Sequence, residues 1–128
     1  MNSAAPTKVL IIDDDPYILE MYLLKFKEAG FDVMTGSDGK EAIEKTASFA
    51  PDVLLLDIVM PVYDGFEVLR RLVEGGKLGK TKAVMLTNLG QREDIERGMK
   101  LGASEYIVKA HFTPSEVVEK VNQLLSKK

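Results

Sequence analysis

The chain contains no cysteine and only one histidine among its 128 residues. The first absence excludes disulfide bonds, thiolate catalysis and cysteine-based metal sites. No other histidine or cysteine can join His111 in a metal cluster, and we expect this lone histidine to face solvent in a loop. No apolar run approaches the roughly 18 residues that a membrane-spanning helix requires. The formal net charge is −3, so the chain lacks the basic surface expected of a protein that binds nucleic acid by itself.

The rest of the composition is that of an ordinary globular domain. Hydrophobic residues make up 45% of the chain and charged residues 29%. A chain of this length can bury one substantial core. We expect residues 1–7 to form a short N-terminal tail, because they lack the pattern of a signal peptide. Residues 8–128 are then expected to form a single domain, and the expected location is cytoplasmic.

Short apolar runs alternate with helical patterns along the chain, which predicts an α/β domain with a parallel sheet. The run Val53–Leu56 is the most apolar and is expected to lie near the centre of the sheet. Thr113, Pro114 and Glu116 form the pattern of a capping box at the start of the last helix. The predicted strands are Lys8–Ile12, Asp32–Thr35, Val53–Leu56, Ala83–Leu86 and Glu105–Val108, and the predicted helices are Pro16–Ala29, Gly39–Phe49, Gly65–Val73, Gln91–Leu101 and one that begins after Thr113.

Four of these strands end in residues that can bind a metal ion or a phosphoryl group. The first strand is followed by Asp13 and Asp14, the third by Asp57, the fourth by Thr87 and the fifth by Lys109. Ligands of parallel α/β sheets bind at the carboxyl ends of the strands. If the strands are parallel, these five side chains meet at one edge of the sheet.

This combination of side chains predicts an aspartate that accepts phosphate. Three carboxylates so close together would repel one another, and a divalent cation removes the conflict. Hard oxygen ligands beside a phosphate favour Mg²⁺, which offsets the charge that builds up during phosphoryl transfer. Asp57 would then act as the nucleophile. Lys109 would pair with one phosphoryl oxygen, and Thr87 would donate a hydrogen bond to another.

Five segments of the sequence resemble the receiver domain of response regulators from two-component signalling, and chemotaxis regulators in particular. The resemblance extends over nearly the whole chain. It implies a flavodoxin-like, doubly wound (βα)5 fold with the strand order 2-1-3-4-5. It also implies a signalling switch, and no enzyme activity beyond the protein's own phosphorylation and dephosphorylation. The segments are Val9–Pro16, Asp57–Pro61, Asp64–Leu69, Val84–Thr87, and Gly102-Ala103 with Tyr106–Lys109.

The resemblance assigns the residues of the phosphorylation site. Asp57 resembles the aspartate that is phosphorylated by a histidine kinase or a histidine phosphotransfer domain, and Lys109 resembles the lysine that pairs with the phosphate. Asp14, Asp57 and the backbone carbonyl of Val59 resemble the direct ligands of Mg²⁺, with Mn²⁺ as an alternative ion. Asp13 would assist the metal through a water molecule.

The resemblance also implies how phosphorylation is read out. Thr87 resembles the hydroxyl that moves toward the phosphoryl group, and Tyr106 resembles the aromatic residue that turns inward once Thr87 has moved. These changes would alter the surface of the fourth helix, fifth strand and fifth helix, which then binds a downstream protein. The protein would act as a monomer or as a phosphorylation-dependent homodimer. Asp15 matches no functional position and is expected to cap the first helix.

Receivers usually follow the lysine with proline in a cis peptide bond, whereas this chain has Ala110 and His111 after Lys109. A cis bond without proline costs roughly 2.5–4 kcal/mol. We therefore predict a trans bond and a reshaped loop.

Three other residues are expected to shape the pocket around Asp57. Asn88 stands where a smaller residue is usual and is expected to narrow access to the carboxylate. Val59 and Leu89 flank the site with apolar groups that cannot orient an attacking water. We therefore expect the phosphoryl group to be hydrolysed slowly.

Two other functions stay open. A haloacid-dehalogenase-like phosphatase also has an Asp-x-Asp motif after a strand, which Asp13 and Asp15 match, but Tyr17 stands where a small residue is expected. A receiver-like binding module that does not accept phosphate is the second alternative. The chain ends soon after the last helix, so we expect either a single-domain regulator or a fragment of a longer protein.

Overall fold

A computed structural model describes residues 5–127 of the chain. They form a five-stranded parallel sheet in the order β2-β1-β3-β4-β5, with helices in the connections. The flavodoxin-like, doubly wound α/β fold predicted from the sequence is therefore confirmed. The strands are β1 (Lys8–Ile12), β2 (Asp32–Gly36), β3 (Val53–Leu56), β4 (Lys82–Thr87) and β5 (Glu105–Val108), and the helices are α1 (Pro16–Glu28), α2 (Gly39–Phe49), α3 (Gly65–Glu74), α4 (Arg92–Leu101) and α5 (Pro114–Leu125).

The observed boundaries differ from the predicted ones by a single residue at several ends. The most relevant difference is at β4, which includes Thr87 as its last residue. A short 3-10 helix over Lys109–His111, which the sequence pattern did not predict, precedes α5. Of the predicted N-terminal tail, residues 1–4 lie outside the described part of the chain. Within residues 5–127, no helix is long and apolar enough to cross a membrane.

Side-chain caps mark where α1 and α5 begin. The Asp15 carboxylate accepts hydrogen bonds from the backbone amides of Tyr17 and Ile18, so its predicted role as a cap of α1 is confirmed. Thr113 and Glu116 form the predicted capping box of α5. Such caps satisfy amide groups that have no partner within the helix. The cap at Asp15 therefore begins α1 immediately after the acidic residues that follow β1.

Helices cover both faces of the sheet and bury it between two apolar layers. On one face, Leu10 and Ile12 of β1 pack in a core with residues of α2 and α3. On the other face, Val9 and Ile11 pack in a core with residues of α1 and α5. All four residues of β3 are fully buried, as expected for the central strand. The sheet between these two cores carries the polar residues at its carboxyl edge.

The register of the sheet places those polar residues side by side. Ile12 pairs with Leu56, and the amide of Asp57 donates a hydrogen bond to the carbonyl of Ile12 at 3.0 Å. Thr87 of β4 pairs with Val108, the residue before Lys109. Because the strands are parallel and end in register, they bring their terminal side chains to one edge.

The loop between β3 and α3 contains a strained residue. Val62 has a φ of 73°, a left-handed conformation that β-branched residues rarely adopt. The amide of Tyr63 donates to the carbonyl of Pro61 at 3.0 Å, which closes a tight three-residue turn around Val62. The Val62 side chain is 63% exposed, so its packing does little to offset the strain.

The substitution Val62→Gly should raise the free energy of unfolding by about 1 kcal/mol, because glycine adopts a positive φ without a steric penalty and the relief exceeds its entropic cost. Chemical denaturation measures the change. Val73→Gly is a matched control, since Val73 is also partly exposed but lies in α3, where glycine should destabilise the helix. A Val62→Gly protein less stable than the original would contradict strain at this turn.

Candidate functional site

The predicted residues line one pocket at the carboxyl edge of the sheet. The pocket has a volume of about 340 Å³. Tyr106 does not line it. The lining consists of Asp13, Asp14, Asp57, Thr87 and Lys109, together with Asp15, Ile18, Val59, Asn88 and Leu89.

The acidic residues form a cluster of oxygen atoms. One carboxylate oxygen from each of Asp13, Asp14 and Asp57 lies within 4.8 Å of the others. Asp13 and Asp57 are buried, whereas Asp14 is exposed at the mouth of the pocket. An all-oxygen donor set with one open side suits a hard divalent cation that keeps part of its water shell. The residues present therefore fit Mg²⁺.

Lys109 neutralises part of this acidic cluster. Its Nζ forms ion pairs with Oδ2 of Asp13 and, at 3.2 Å, with Oδ2 of Asp57. Burial acts to lower the pKa of Lys109, but the hydrogen bonds and charges of the two aspartates outweigh it, so the pKa lies above its usual value. One ammonium faces three carboxylates, and the pocket keeps an excess of negative charge that attracts a cation.

Backbone contacts fix the position of Asp57. Its Oδ1 accepts a hydrogen bond from the amide of Ile58 at 2.7 Å, which leaves Oδ2 directed to Lys109. Gly65 at the start of α3 packs against the same backbone, and a Cβ at Gly65 would lie only 2.3 Å from the carbonyl oxygen of Asp57. The sequence pattern alone predicts no role for Gly65. The pair Asp64-Gly65 at the start of a helix is visible in the sequence, but the contact with Asp57 that requires a glycine there is visible only in the structure.

Thr87 and Tyr106 meet at the backbone of Leu89. The hydroxyl of Thr87 accepts a hydrogen bond from the amide of Leu89 at 3.3 Å, and the hydroxyl of Tyr106 donates to the carbonyl of the same residue. Burial, with smaller contributions from the charges of Asp94 and Asp57, raises the pKa of Tyr106 to about 12. Tyr106 is therefore a neutral donor at physiological pH. A movement of Thr87 would disturb a segment that Tyr106 also holds.

The loop after β5 has the predicted trans geometry, since residues 5–127 contain no cis peptide bond. It is reshaped into the 3-10 helix over Lys109–His111. The amide of Ala110 donates a hydrogen bond to Oδ1 of Asn88 at 2.9 Å, a contact that the sequence analysis missed. His111 is exposed as expected, and no candidate metal cluster in the described part of the chain includes it.

The fold and the pocket together define an α/β domain whose sheet edge carries a lysine beside a cluster of three aspartates that could bind a metal ion. The family model of the response regulator receiver domain matches residues 9–122. The chain therefore belongs to the response regulator receiver domain family of two-component signalling. Members of this family are signalling switches rather than enzymes in the usual sense.

Two relatives of the chain are transcriptional regulators. It is 35% identical over 118 residues to the alkaline phosphatase synthesis transcriptional regulatory protein PhoP of Bacillus subtilis, covering 92% of this chain and 48% of that protein. It is 36% identical over 118 residues to the DNA-binding dual master transcriptional regulator RpaA of Synechocystis, with the same coverage. The chain thus spans about half the length of the curated relatives it matches.

Two solved structures resemble the chain over almost its full length. The chemotaxis protein CheY4 of Vibrio cholerae is 32% identical with a TM-score of 0.86, covering 94% of this chain and 99% of that one. A chain of the CheX-CheY-BeF3-Mg²⁺ complex of Borrelia burgdorferi is 29% identical with a TM-score of 0.86, covering 95% of this chain and 91% of that one.

The substitution Lys109→Met should lower the free energy of unfolding by about 2 kcal/mol in the absence of divalent cations, because two buried carboxylates lose their ammonium partner. Added Mg²⁺ should restore part of the loss by supplying positive charge to the native state. Denaturant titrations with and without Mg²⁺ measure both effects.

Lys40→Met is the matched control for this substitution, because the Lys40 side chain is 68% exposed and its ion pair with Glu44 is long at 3.9 Å. It should change stability little. Two results would contradict the charge balance of the pocket. One is a Lys109→Met protein as stable as the original, and the other is a Lys109→Met protein that Mg²⁺ stabilises no more than it stabilises the original.

Proposed function

We propose that the protein is a phosphorylation-activated signalling switch in which Asp57 accepts a phosphoryl group in a Mg²⁺-dependent reaction. The observation that carries the proposal is the placement of Asp57, Asp13 and Lys109 in one pocket, with Asp14 at its mouth. A structural role alone does not account for two buried carboxylates that share a single ammonium beside a third acid. The same set provides a nucleophile, a cation site and a phosphate partner.

Asp13, Asp14 and Asp57 are the residues proposed to hold the cation, together with the backbone carbonyl of Val59, a residue that also lines the pocket. Bound Mg²⁺, or Mn²⁺ in its place, would supply positive charge to the phosphoryl oxygens. The Borrelia burgdorferi complex named above contains BeF3 and Mg²⁺. Its likeness to this chain supports the same type of site.

The proposed transfer uses the side chains of the pocket directly. A carboxylate oxygen of Asp57 bonds to phosphorus as the bond from phosphorus to the donor breaks, which forms an acyl phosphate. The Lys109 ammonium holds a phosphoryl oxygen. The Thr87 hydroxyl, which accepts a bond from Leu89, keeps its own proton free to donate to a second oxygen. Hydrolysis of the acyl phosphate by water returns Asp57 and inorganic phosphate.

The proposed readout follows from the contacts of Leu89. When Thr87 turns toward the phosphoryl group, its bond to the Leu89 amide is lost, and Tyr106, which donates to the Leu89 carbonyl, is then proposed to turn inward. Both changes alter the segment that leads into α4. We propose that the surface of α4, β5 and α5 then changes and binds a downstream protein, with the chain as a monomer or a phosphorylation-dependent homodimer.

The proposed phosphoryl donor is a histidine kinase or a histidine phosphotransfer domain. Its docking surface is the exposed apolar face of α1, where Tyr17 is 86%, Met21 40% and Leu24 51% exposed. Asp15, which caps this helix, lines the pocket, so a partner on this face would reach Asp57. The cytoplasm is the proposed location, because receiver domains meet their kinases in that compartment.

Incubation with acetyl phosphate and Mg²⁺ should add one phosphoryl group to the protein, measured by intact-protein mass spectrometry. Asp57→Asn should abolish the addition. Asp13→Asn should slow it by about 10–100-fold, the usual cost of losing an outer ligand of a metal site. Labelling of Asp57→Asn but not Asp13→Asn would instead favour a phosphatase-like nucleophile at Asp13. No labelling of the original protein would favour a binding module without phosphotransfer.

The phosphorylated protein should lose its phosphoryl group slowly, because the exposed Val59 and the half-buried Leu89 line the pocket and cannot orient an attacking water. Val59→Asn should speed the loss by about threefold to tenfold, the scale of one added hydrogen bond. Val62→Asn is the control, because Val62 is equally exposed in the same loop but does not line the pocket. Rapid loss that Val59→Asn leaves unaltered would contradict this explanation of the lifetime.

A further inference from the structure

The hydrogen bond between Asn88 and Ala110 connects two strand ends of the pocket. Asn88 directly follows Thr87 at the end of β4, and Ala110 directly follows Lys109 at the end of β5. Oδ1 of Asn88 accepts from the Ala110 amide at 2.9 Å. Two residues proposed to act on the phosphoryl group, Thr87 and Lys109, are thus each one residue away from this bond.

The Asn88 side chain accepts a hydrogen bond from the backbone amide of Ala110, which has no partner within the 3-10 helix. Ala110 lies in the first turn of the short 3-10 helix over Lys109–His111, where amides have no earlier carbonyl of the helix to bond. The residue before this helix, Val108, provides no side-chain cap. Asn88 takes the place of such a cap from the end of the neighbouring strand, β4. It therefore fixes the start of the turn in which Lys109 lies.

The position of Lys109 depends on that turn. Its Nζ reaches Asp13 and Asp57 from the first residue of the 3-10 helix, and its side chain is only 10% exposed. An amine on a long side chain keeps one position only if its backbone is held, since Lys has several rotatable bonds. The hydrogen bond from the next residue, Ala110, provides this restraint on the β4 side.

We propose that Asn88 is a positioning residue that holds Lys109 in line with Asp57 through the Ala110 amide. The proposal rests on the phosphoacceptor function proposed above and deepens it. Asn88 acts on the transfer through the lysine and does not itself need to touch the phosphoryl group. Because Asn88 follows Thr87, a movement of Thr87 toward the phosphate also displaces the acceptor of this bond, so the lysine and the hydroxyl are coupled.

If Asn88 instead acts as a steric barrier, its truncation should change the rate of phosphorylation in the opposite direction. Asn88 also lines the pocket, and its bulk narrows access to Asp57 if the side chain acts as a barrier. Truncation of a barrier speeds phosphorylation by a small donor. Truncation of a positioning residue slows it.

The kinetic test compares Asn88→Ala, Lys109→Met and the double variant during phosphorylation by acetyl phosphate with Mg²⁺. Asn88→Ala should slow phosphorylation by about threefold to tenfold, the scale of one hydrogen bond. It should add no further slowing in the Lys109→Met background, because the effect passes through the lysine. Equal or faster phosphorylation of Asn88→Ala, or the same slowing in both backgrounds, would overturn the proposal.

Amide hydrogen exchange at Ala110, followed by NMR, tests the hydrogen bond without any phosphorylation. Exchange should be faster in Asn88→Ala and remain slow in Asn88→Asp, which keeps the acceptor oxygen. The matched control is Asn122→Ala, at an exposed asparagine of α5, which should leave the exchange at Ala110 slow. Unchanged exchange in Asn88→Ala would overturn the proposal even if the original protein accepts no phosphate. If the original protein is phosphorylated and Asn88→Ala is phosphorylated at the same rate, the positioning role of Asn88 is wrong, while the phosphoacceptor role of Asp57 is supported.

Discussion

The site depends on one electrostatic constraint, the sharing of the Lys109 ammonium by two buried carboxylates. Asp13 and Asp57 are 2% and 7% exposed, and burial without a partner would be costly for each charge. Lys109 satisfies both only in part, because Asp14 adds a third negative charge at the mouth. The native fold therefore keeps a local excess of negative charge. A bound cation would reduce this excess and would therefore stabilise the native fold.

The sheet holds this unfavourable arrangement in place. Parallel strands with fixed register bring Asp13 and Asp57 to the same edge, and the two apolar layers prevent their separation. Gly65 lets α3 approach the backbone of Asp57 more closely than any other residue would allow. The backbone of Leu89 then links Thr87 to Tyr106, and this link is the route by which a change of charge at Asp57 is proposed to reach the segment before α4.

Sequence reasoning predicted what depends on periodicity and strand order. Apolar runs located the strands, and the residues that follow them located the pocket, because parallel strands must end at a common edge. It missed the Asn88–Ala110 bond, the turn at Val62 and the contact of Gly65 with Asp57. The hydrogen bond and the glycine contact depend on how separate segments approach each other in space, and the turn depends on a backbone conformation that valine rarely adopts. Asn88 was interpreted as bulk, whereas its carboxamide oxygen also serves as the acceptor for a distant backbone amide.

A comparison of backbone amide NMR spectra with Mg²⁺ alone and with Mg²⁺ plus acetyl phosphate tests whether phosphorylation of Asp57 operates the switch. The phosphodonor should shift the signals of Asp57, Thr87, Leu89 and Tyr106, and the changes should continue into α4. The same addition to Asp57→Asn should leave these signals where Mg²⁺ alone places them. Spectra that do not respond to the phosphodonor, or that respond equally in Asp57→Asn, would contradict a switch operated by phosphorylation of Asp57.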